Sequence, residues 1–265
     1  VRIRIIFRLR NKGATLPFQH QHLLHKLVEQ LLDGTDFEHP EAAIYNFSAL
    51  KGQTKVSRMG LSYLSNRVTL VLSSLSNSFI EVFKTQLFKH KLLEIGEIIL
   101  TPEFTEEEKI IDFTTSMKYL CLSPLIPSNT LTESTMGLLA PETMSDMLYE
   151  STLYRMEKSE LYTPQELEEY YQFQLVPDIE YLQKLSIEEK KPARPYFLYK
   201  HDQVSQELIG YTFPFELYAH PAVQNFIYYT GFGEFTNQGY GMLDTVNNNL
   251  YRPIKTRETK INFAY

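Results

Sequence analysis

The first ten residues, VRIRIIFRLR, constrain the fold most strongly. Ile3, Ile5, Phe7 and Leu9 alternate with Arg2, Arg4, Arg8 and Arg10. A period of two predicts a β-strand with one buried apolar face and one open face. Four like charges on one face of a short strand repel each other. That face therefore points to contact with an anion, with a merely solvated open face as the alternative.

The next ninety residues continue in a definite order. Leu16-Pro17 marks a break, and FQHQHLLHKLVEQLL follows and ends at Asp33-Gly34. Leu24, Leu27, Val28 and Leu31 form the stripe of a helix packed on a sheet. His22, His25 and Glu29 fall on another face, with Lys26 beside them, and His20 sits nearer the apolar stripe. AIYNFSAL (43–50) and VTLVLSSL (68–75) read as strands. Residues 77–90 read as a helix capped by Asn77, and 92–101 as a closing strand. Strand, helix, strand, strand, helix, strand is the ferredoxin-like arrangement. The second half is less regular. It offers a strand at 117–126 halting at Ser123-Pro124, acidic helical segments over 141–189, and strand-like stretches at 196–200 and 207–218. A short helix opened by Pro221 comes next. The pattern predicts α+β architecture with two tandem ferredoxin-like domains, 1–112 and 113–265.

Charge sharpens the division. The net charge is -6, which at face value argues against a nucleic-acid partner. The balance is uneven: residues 1–93 carry a net of +7, residues 94–189 a net of -15 and residues 190–265 a net of +2. A basic front third is the more informative part, because a polyanion meets a local field. The acidic middle reads as solvated helix faces turned away from that surface. The single cysteine, Cys121, excludes an internal disulfide framework and a multi-cysteine zinc site. No apolar run reaches membrane-spanning length. A soluble, cytoplasmic protein with no membrane partner is the expectation.

Four of the eleven glycines fall in GFGEFTNQGYG, at Gly231, Gly233, Gly239 and Gly241. Glycines allow close backbone approach, and successive amides can face a phosphate. Phe232, Phe235 and Tyr240 alternate with them, placed to stack on bases or to pack beneath the loop. The segment is neither the dinucleotide fingerprint nor a Walker loop, since no Gly-Lys-Ser/Thr occurs. A glycine-rich hairpin with no ligand is the plain alternative.

FIYYTGFGEFTNQGYGMLD resembles the helix, glycine-rich loop and last strand of the RAMP superfamily. Within it, the match is to the CRISPR-associated endoribonucleases of the Cas-six type, which cut CRISPR repeat RNA. The arginine-studded first strand, the Leu-Pro before the first helix, NFS, VTLVLSS and LCLSPLI fall in that family's order. Only the acidic 127–190 stretch has no clear counterpart. The resemblance implies two ferredoxin-like domains with repeat RNA bound across basic surfaces near their junction. It implies cleavage with no metal or other cofactor. A 2′-hydroxyl attacks the adjacent phosphate and leaves a 2′,3′-cyclic phosphate and a 5′-hydroxyl.

That chemistry needs a base, an acid and a cation, and histidine suits both proton roles. The catalytic candidates are His22, His25 and His39, in that order. Glu29 stands where some relatives carry a tyrosine. Lys26 and Lys51 are candidates for the cation. The RNA-contact set is Arg2, Arg4, Arg8, Arg10, Lys26, Lys51, Lys55, Arg58, Gly231, Gly233, Gly239 and Gly241. Arg252, Lys255 and Arg257 could add backbone contacts. Further candidate partners are other CRISPR-associated proteins and a second copy of the chain. The competing readings are a non-catalytic RAMP-type RNA-binding subunit of a CRISPR effector complex, and a scaffold whose glycine loop meets protein.

Overall fold

The computed structural model describes residues 1–37, 44–128, 139–200 and 203–246. From the N-terminus the order is β1 (Arg2–Leu9), β2 (Thr15–Leu16), α1 (Gln21–Leu32), β3 (Tyr45–Phe47), β4 (Thr54–Val56), β5 (Leu61–Tyr63), β6 (Arg67–Ser74), α2 (Asn77–Lys89), β7 (Leu93–Ile95) and β8 (Ile98–Glu107). The alternating strand is central. An antiparallel sheet runs β3-β6-β1-β8-β7, so the chain's first strand is bonded on both edges.

Ile3, Ile5, Phe7 and Leu9 point into one core with Leu24, Leu27, Val28 and Leu31 of α1 and Phe79, Phe83 and Leu87 of α2. Each such side chain contributes roughly 1.5–3 kcal/mol by leaving water. α1 begins at Gln21, four residues after Pro17, because Thr15 and Leu16 first pair with β5. The cap of α2 is Ser76 rather than Asn77: the Ser76 hydroxyl accepts from the Phe79 amide at 3.1 Å, and Asn77 is the first helical residue.

The second half repeats the plan with insertions. Its elements are β9 (Ser116–Cys121), α3 (Pro141–Lys158), α4 (Pro164–Glu169), β10 (Phe173–Pro177), α5 (Ile179–Ile187), β11 (Ala193–Lys200), β12 (Gln203–Tyr211), β13 (Phe215–Ala219), α6 (Pro221–Thr230) and β14 (Leu243–Thr245). The sheet order β10-β13-β9-β14 matches β3-β6-β1-β8 position for position. Two tandem ferredoxin-like folds are therefore present. The acidic middle is not all helical. FQLVP forms β10, bonded to β13 along its length, and α3 supplies the first helix of the second fold. β11 and β12 form a separate hairpin between the second and third strands of that fold. Pro214 falls where β12 gives way to β13, as a residue without an amide proton must.

The acidic-face expectation needs a second correction. Glu106, Glu107 and Glu108 lie at the end of a strand, not on a helix, and β8 runs beside β1. Glu103 of β8 and Glu108 just past its end therefore meet arginines instead of facing away from them, while Glu107 lies near Lys84.

Candidate functional site

The start of α1 is where the two folds meet. Gln19 clips onto β11 with both ends of its amide. Nε2 donates to the Pro195 carbonyl at 2.8 Å, and Oε1 accepts from the Phe197 amide at 3.1 Å. His20 is buried at 3% exposure, as its place near the apolar stripe implies. Two residues on, His22 stacks against Tyr199 of β11, with ring centroids 4.0 Å apart and planes 24° apart. The hairpin thus brings to the helix a tyrosine that the local sequence of α1 lacks.

One turn further, His25 Nε2 lies 3.4 Å from the Glu29 carboxylate. Burial lowers the His25 pKa, against smaller opposing effects of Glu29 and the Asn237 backbone. His25 is therefore neutral at pH 7 and packed beneath the glycine-rich loop. Lys26 follows it on α1 and is half-buried. His39 lies outside the described residues, as do Arg252, Lys255 and Arg257.

The glycine-rich loop is a packed seam and not an open cradle. Its glycines are buried, and the amides of Gly231, Gly239 and Gly241 donate to the carbonyls of Ile227, Thr236 and Pro124. Phe232 and Tyr240 are buried too, so they pack beneath the loop rather than stack on bases. Two glycines are required by close approach. Gly231 has φ +87° and faces the Asn46 amide, and Gly239 has φ +84° and lies on the Phe47 ring. A Cβ at either would overlap β3 of the first fold. Asn46 Nδ2 also donates to the Tyr240 carbonyl at 2.6 Å. From the other side, Arg155 of α3 donates to the carbonyls of Thr230, Gly231 and Gly233 at 2.8, 2.9 and 3.2 Å, and to the Thr230 hydroxyl at 2.7 Å.

The arginine face of β1 is largely neutralised. Arg2 is 2% exposed. It is spent on Glu108 at 2.9 Å, the Leu243 carbonyl at 2.6 Å and the Tyr228 ring at 4.6 Å. It is a buried latch between the folds, which corrects the expectation of a surface RNA contact. Arg4 pairs with the same carboxylate at 2.7 Å. Arg8 and Arg67 share Glu103, and Arg10 donates to the Thr101 hydroxyl at 2.7 Å. Lys51 lines a groove with Arg2, Arg4, Glu106, Glu108 and Asp244. Partial burial there lowers its pKa, with Asp244 opposing. Lys55 lies exposed on β4, and Arg58 is exposed at the turn between β4 and β5.

The structure therefore brings together His22, His25 and Lys26. It sets Arg4 and Lys51 in a separate groove and leaves Arg8, Arg10, Lys55 and Arg58 at the surface. Sequence reasoning misses Tyr199, Gln19 and Arg155. Their partners lie far away in the chain, 178 residues in the case of Gln19 and Phe197, and no local pattern signals them.

Among the described residues no group of three or more His, Cys, Asp or Glu is placed to hold a metal ion, and no helix is long and apolar enough to cross a membrane.

Comparison with known proteins agrees with this architecture. No curated protein sequence matches the chain. Among solved structures, the chain is similar to the one described as a Cas6-related gene from Pyrococcus furiosus, with a TM-score of 0.74 and 18% identity over 93% of this chain and 98% of that one. It is also similar to a RAMP protein described as binding different RNA substrates, with a TM-score of 0.73 and 19% identity over 92% and 99%. A third is a CRISPR associated protein Cas6, with a TM-score of 0.70 and 18% identity over 92% and 98%. At these identities the likeness speaks for the fold. The family model "CRISPR associated protein Cas6, C-terminal" matches residues 104–245, which include the acidic stretch that the sequence alone leaves unmatched. With that match spanning more than half of the chain, the protein belongs to the Cas6 family of CRISPR-associated proteins.

Proposed function

We propose that the chain is a metal-independent endoribonuclease that binds CRISPR repeat RNA and cuts it to mature guides, with 1–112 and 113–265 as its two folding units. The observation that carries this reading is the His22–Tyr199 stack at the seam of the two folds. Placing a titratable imidazole with a fixed ring plane on a shared surface is what oriented proton transfer requires.

In the proposed reaction the 2′-oxygen attacks phosphorus as a base takes its proton. The bond from phosphorus to the 5′-oxygen breaks as an acid protonates the leaving oxygen. His22 is the proposed proton-transfer residue in contact with RNA. His25, neutral and packed against Asn237 and Glu29, is proposed to hold the helix, and with it His22, against the loop. Lys26 is the proposed cation near the phosphate. The carboxylates around Lys51 take up its charge and make it the weaker candidate. Arg8, Arg10, Lys55 and Arg58 supply the proposed backbone contacts, which dominate affinity and weaken with salt.

The test is cleavage of the cognate repeat RNA in EDTA, beside a copy carrying one 2′-deoxy nucleotide 5′ of the cut. Cutting of the first and not the second supports the mechanism. Tight binding with neither cut assigns the chain to the non-catalytic subunit class.

A further inference from the structure

Beside the His22 seam lies a cavity of about 390 Å³, lined by the start of α1, the segment after β9 and the approach to β11. Its volume falls in the ~300–1,000 Å³ range of small-ligand sites. We infer that this cavity is a subsite for one nucleotide of the single-stranded RNA that crosses the seam, held by Lys190, Lys191 and Arg194 at its phosphate and by Phe18 and Tyr196 at its base.

Four observations carry the assignment, which rests on the RNA-processing reading above. The first is charge. The lining holds Lys190, Lys191 and Arg194 and no carboxylate. That is unusual for a chain of net charge -6 and directly follows its most acidic stretch. A cleft of one sign with low-dielectric walls concentrates counter-charge. Lys190 also reaches Glu188, an exposed carboxylate outside the lining, at 2.7 Å.

The second is the aromatic pair. Phe18 is 53% exposed at the cavity, an unfavourable place for an apolar ring in a free protein. Tyr196 lies in the wall with its edge set against Tyr240. Cationic grooves with aromatic rings are how proteins hold single strands without reading sequence.

The third is His20. Its Nδ1 lies 3.0 Å from the Pro17 carbonyl. A carbonyl only accepts, so Nδ1 carries the proton and Nε2 is left as an acceptor. That Nε2 is buried without a partner, and burial lowers the pKa, so the ring stays neutral. That nitrogen is closed off from solvent, so His20 gives the cavity a neutral wall and leaves its charge to Lys190, Lys191 and Arg194.

The fourth is continuity with the proposed catalytic seam. Gln21 lines the cavity while the next residue, His22, stacks on Tyr199. Tyr196 and Tyr199 lie on the same strand, held to α1 by Gln19. The cavity therefore adjoins the His22 stack through Gln21 and β11, with Tyr181 and Leu185 of α5 closing its other side.

The test reads binding alone, with repeat RNA carrying a 2′-deoxy nucleotide at the cut so that cleavage does not intervene. In the Lys191→Ala/Arg194→Ala double variant, the slope of log affinity against log salt should shrink by about 1.4, roughly 0.7 for each lost single-strand phosphate contact. Phe18→Ala should weaken binding about tenfold at fixed salt with the slope unchanged. A Lys89→Ala/Lys91→Ala control at the C-terminal end of α2, outside the cavity lining, should leave the slope as it is. An unchanged slope in the first double variant, an equal loss in the control, or unaltered binding by Phe18→Ala overturns the subsite. Failure of the catalytic reading looks different: the unmodified repeat stays uncut by the wild-type protein while these binding differences persist.

Discussion

The imidazole of His22 lies nearly flat on the ring of Tyr199, 4.0 Å between centroids, although one belongs to the first helix and the other to a hairpin of the second fold. The arrangement gives the proposed proton-transfer residue a fixed plane and makes its geometry depend on both folds. Replacing His22 by Ala should slow single-turnover cleavage of repeat RNA ~10²–10⁴-fold, the usual contribution of a general acid or base, with binding changed only a few-fold. Tyr199→Phe keeps the stack and should remain near the wild-type rate, whereas Tyr199→Ala should lose about tenfold. A Phe variant as slow as the Ala variant would show that the phenol itself acts.

Arg155 is the next test, because one side chain gathers the carbonyls of Thr230, Gly231 and Gly233. Burial lowers its pKa to about 10, so it remains a cation at neutral pH. Removing it leaves several buried acceptors without donors, and hydrogen bonds to charged groups are worth ~1.5–3 kcal/mol each. Arg155→Ala should destabilise the protein by about 3 kcal/mol or more in urea unfolding. Arg155→Lys should recover only part of that, since a point charge cannot serve three carbonyls as a planar fork does.

The glycine-rich loop makes a separate prediction. At Gly239, φ is +84° and an added Cβ would overlap the Phe47 ring. Left-handed strain in a residue with a side chain costs ~1–3 kcal/mol, and overpacking adds to it. Gly239→Ala should lower Tm by several degrees and loosen the contact between the folds, visible as faster amide exchange in β3. Gly13, also at positive φ but with open space around it, should tolerate Ala at the cost of the backbone strain alone.

These residues also show what a sequence makes readable. β1 can be read because four apolar residues at period two all enter one core, and α1 because its leucine stripe has the helical period. β10 cannot be read the same way: five residues, FQLVP, sit inside an acidic segment, and their partner β13 is forty residues downstream. The glycine loop is conspicuous in composition. Its role is not, since the same glycines would suit an exposed phosphate cradle. Only the positions of Asn46 and Phe47 show that they admit the neighbouring fold. The arginine face is the converse case. Its alternation is correct, but register with β8 sets Glu103 and Glu108 against it, and strand register between distant segments leaves no local mark.

The last prediction concerns pH. Burial pushes His20 and His25 below the ordinary imidazole value of 6.5, His25 against the opposing pull of Glu29. The unfolded chain therefore takes up protons at these two sites before the folded chain does. Stability from keeping them neutral is fully present above about pH 6.5 and is lost as the pH falls through that value toward the folded-state pKa. Urea unfolding of the wild-type protein should show a lower free energy at pH 5 than at pH 7.5. His25→Gln cannot titrate, so it should flatten that dependence in the same window even if it is less stable throughout. A wild-type protein equally stable at both pH values, or a His25→Gln variant with an undiminished slope, would mean that His25 is solvated in solution and free to take a proton, and would move it from a packing role toward the catalytic one.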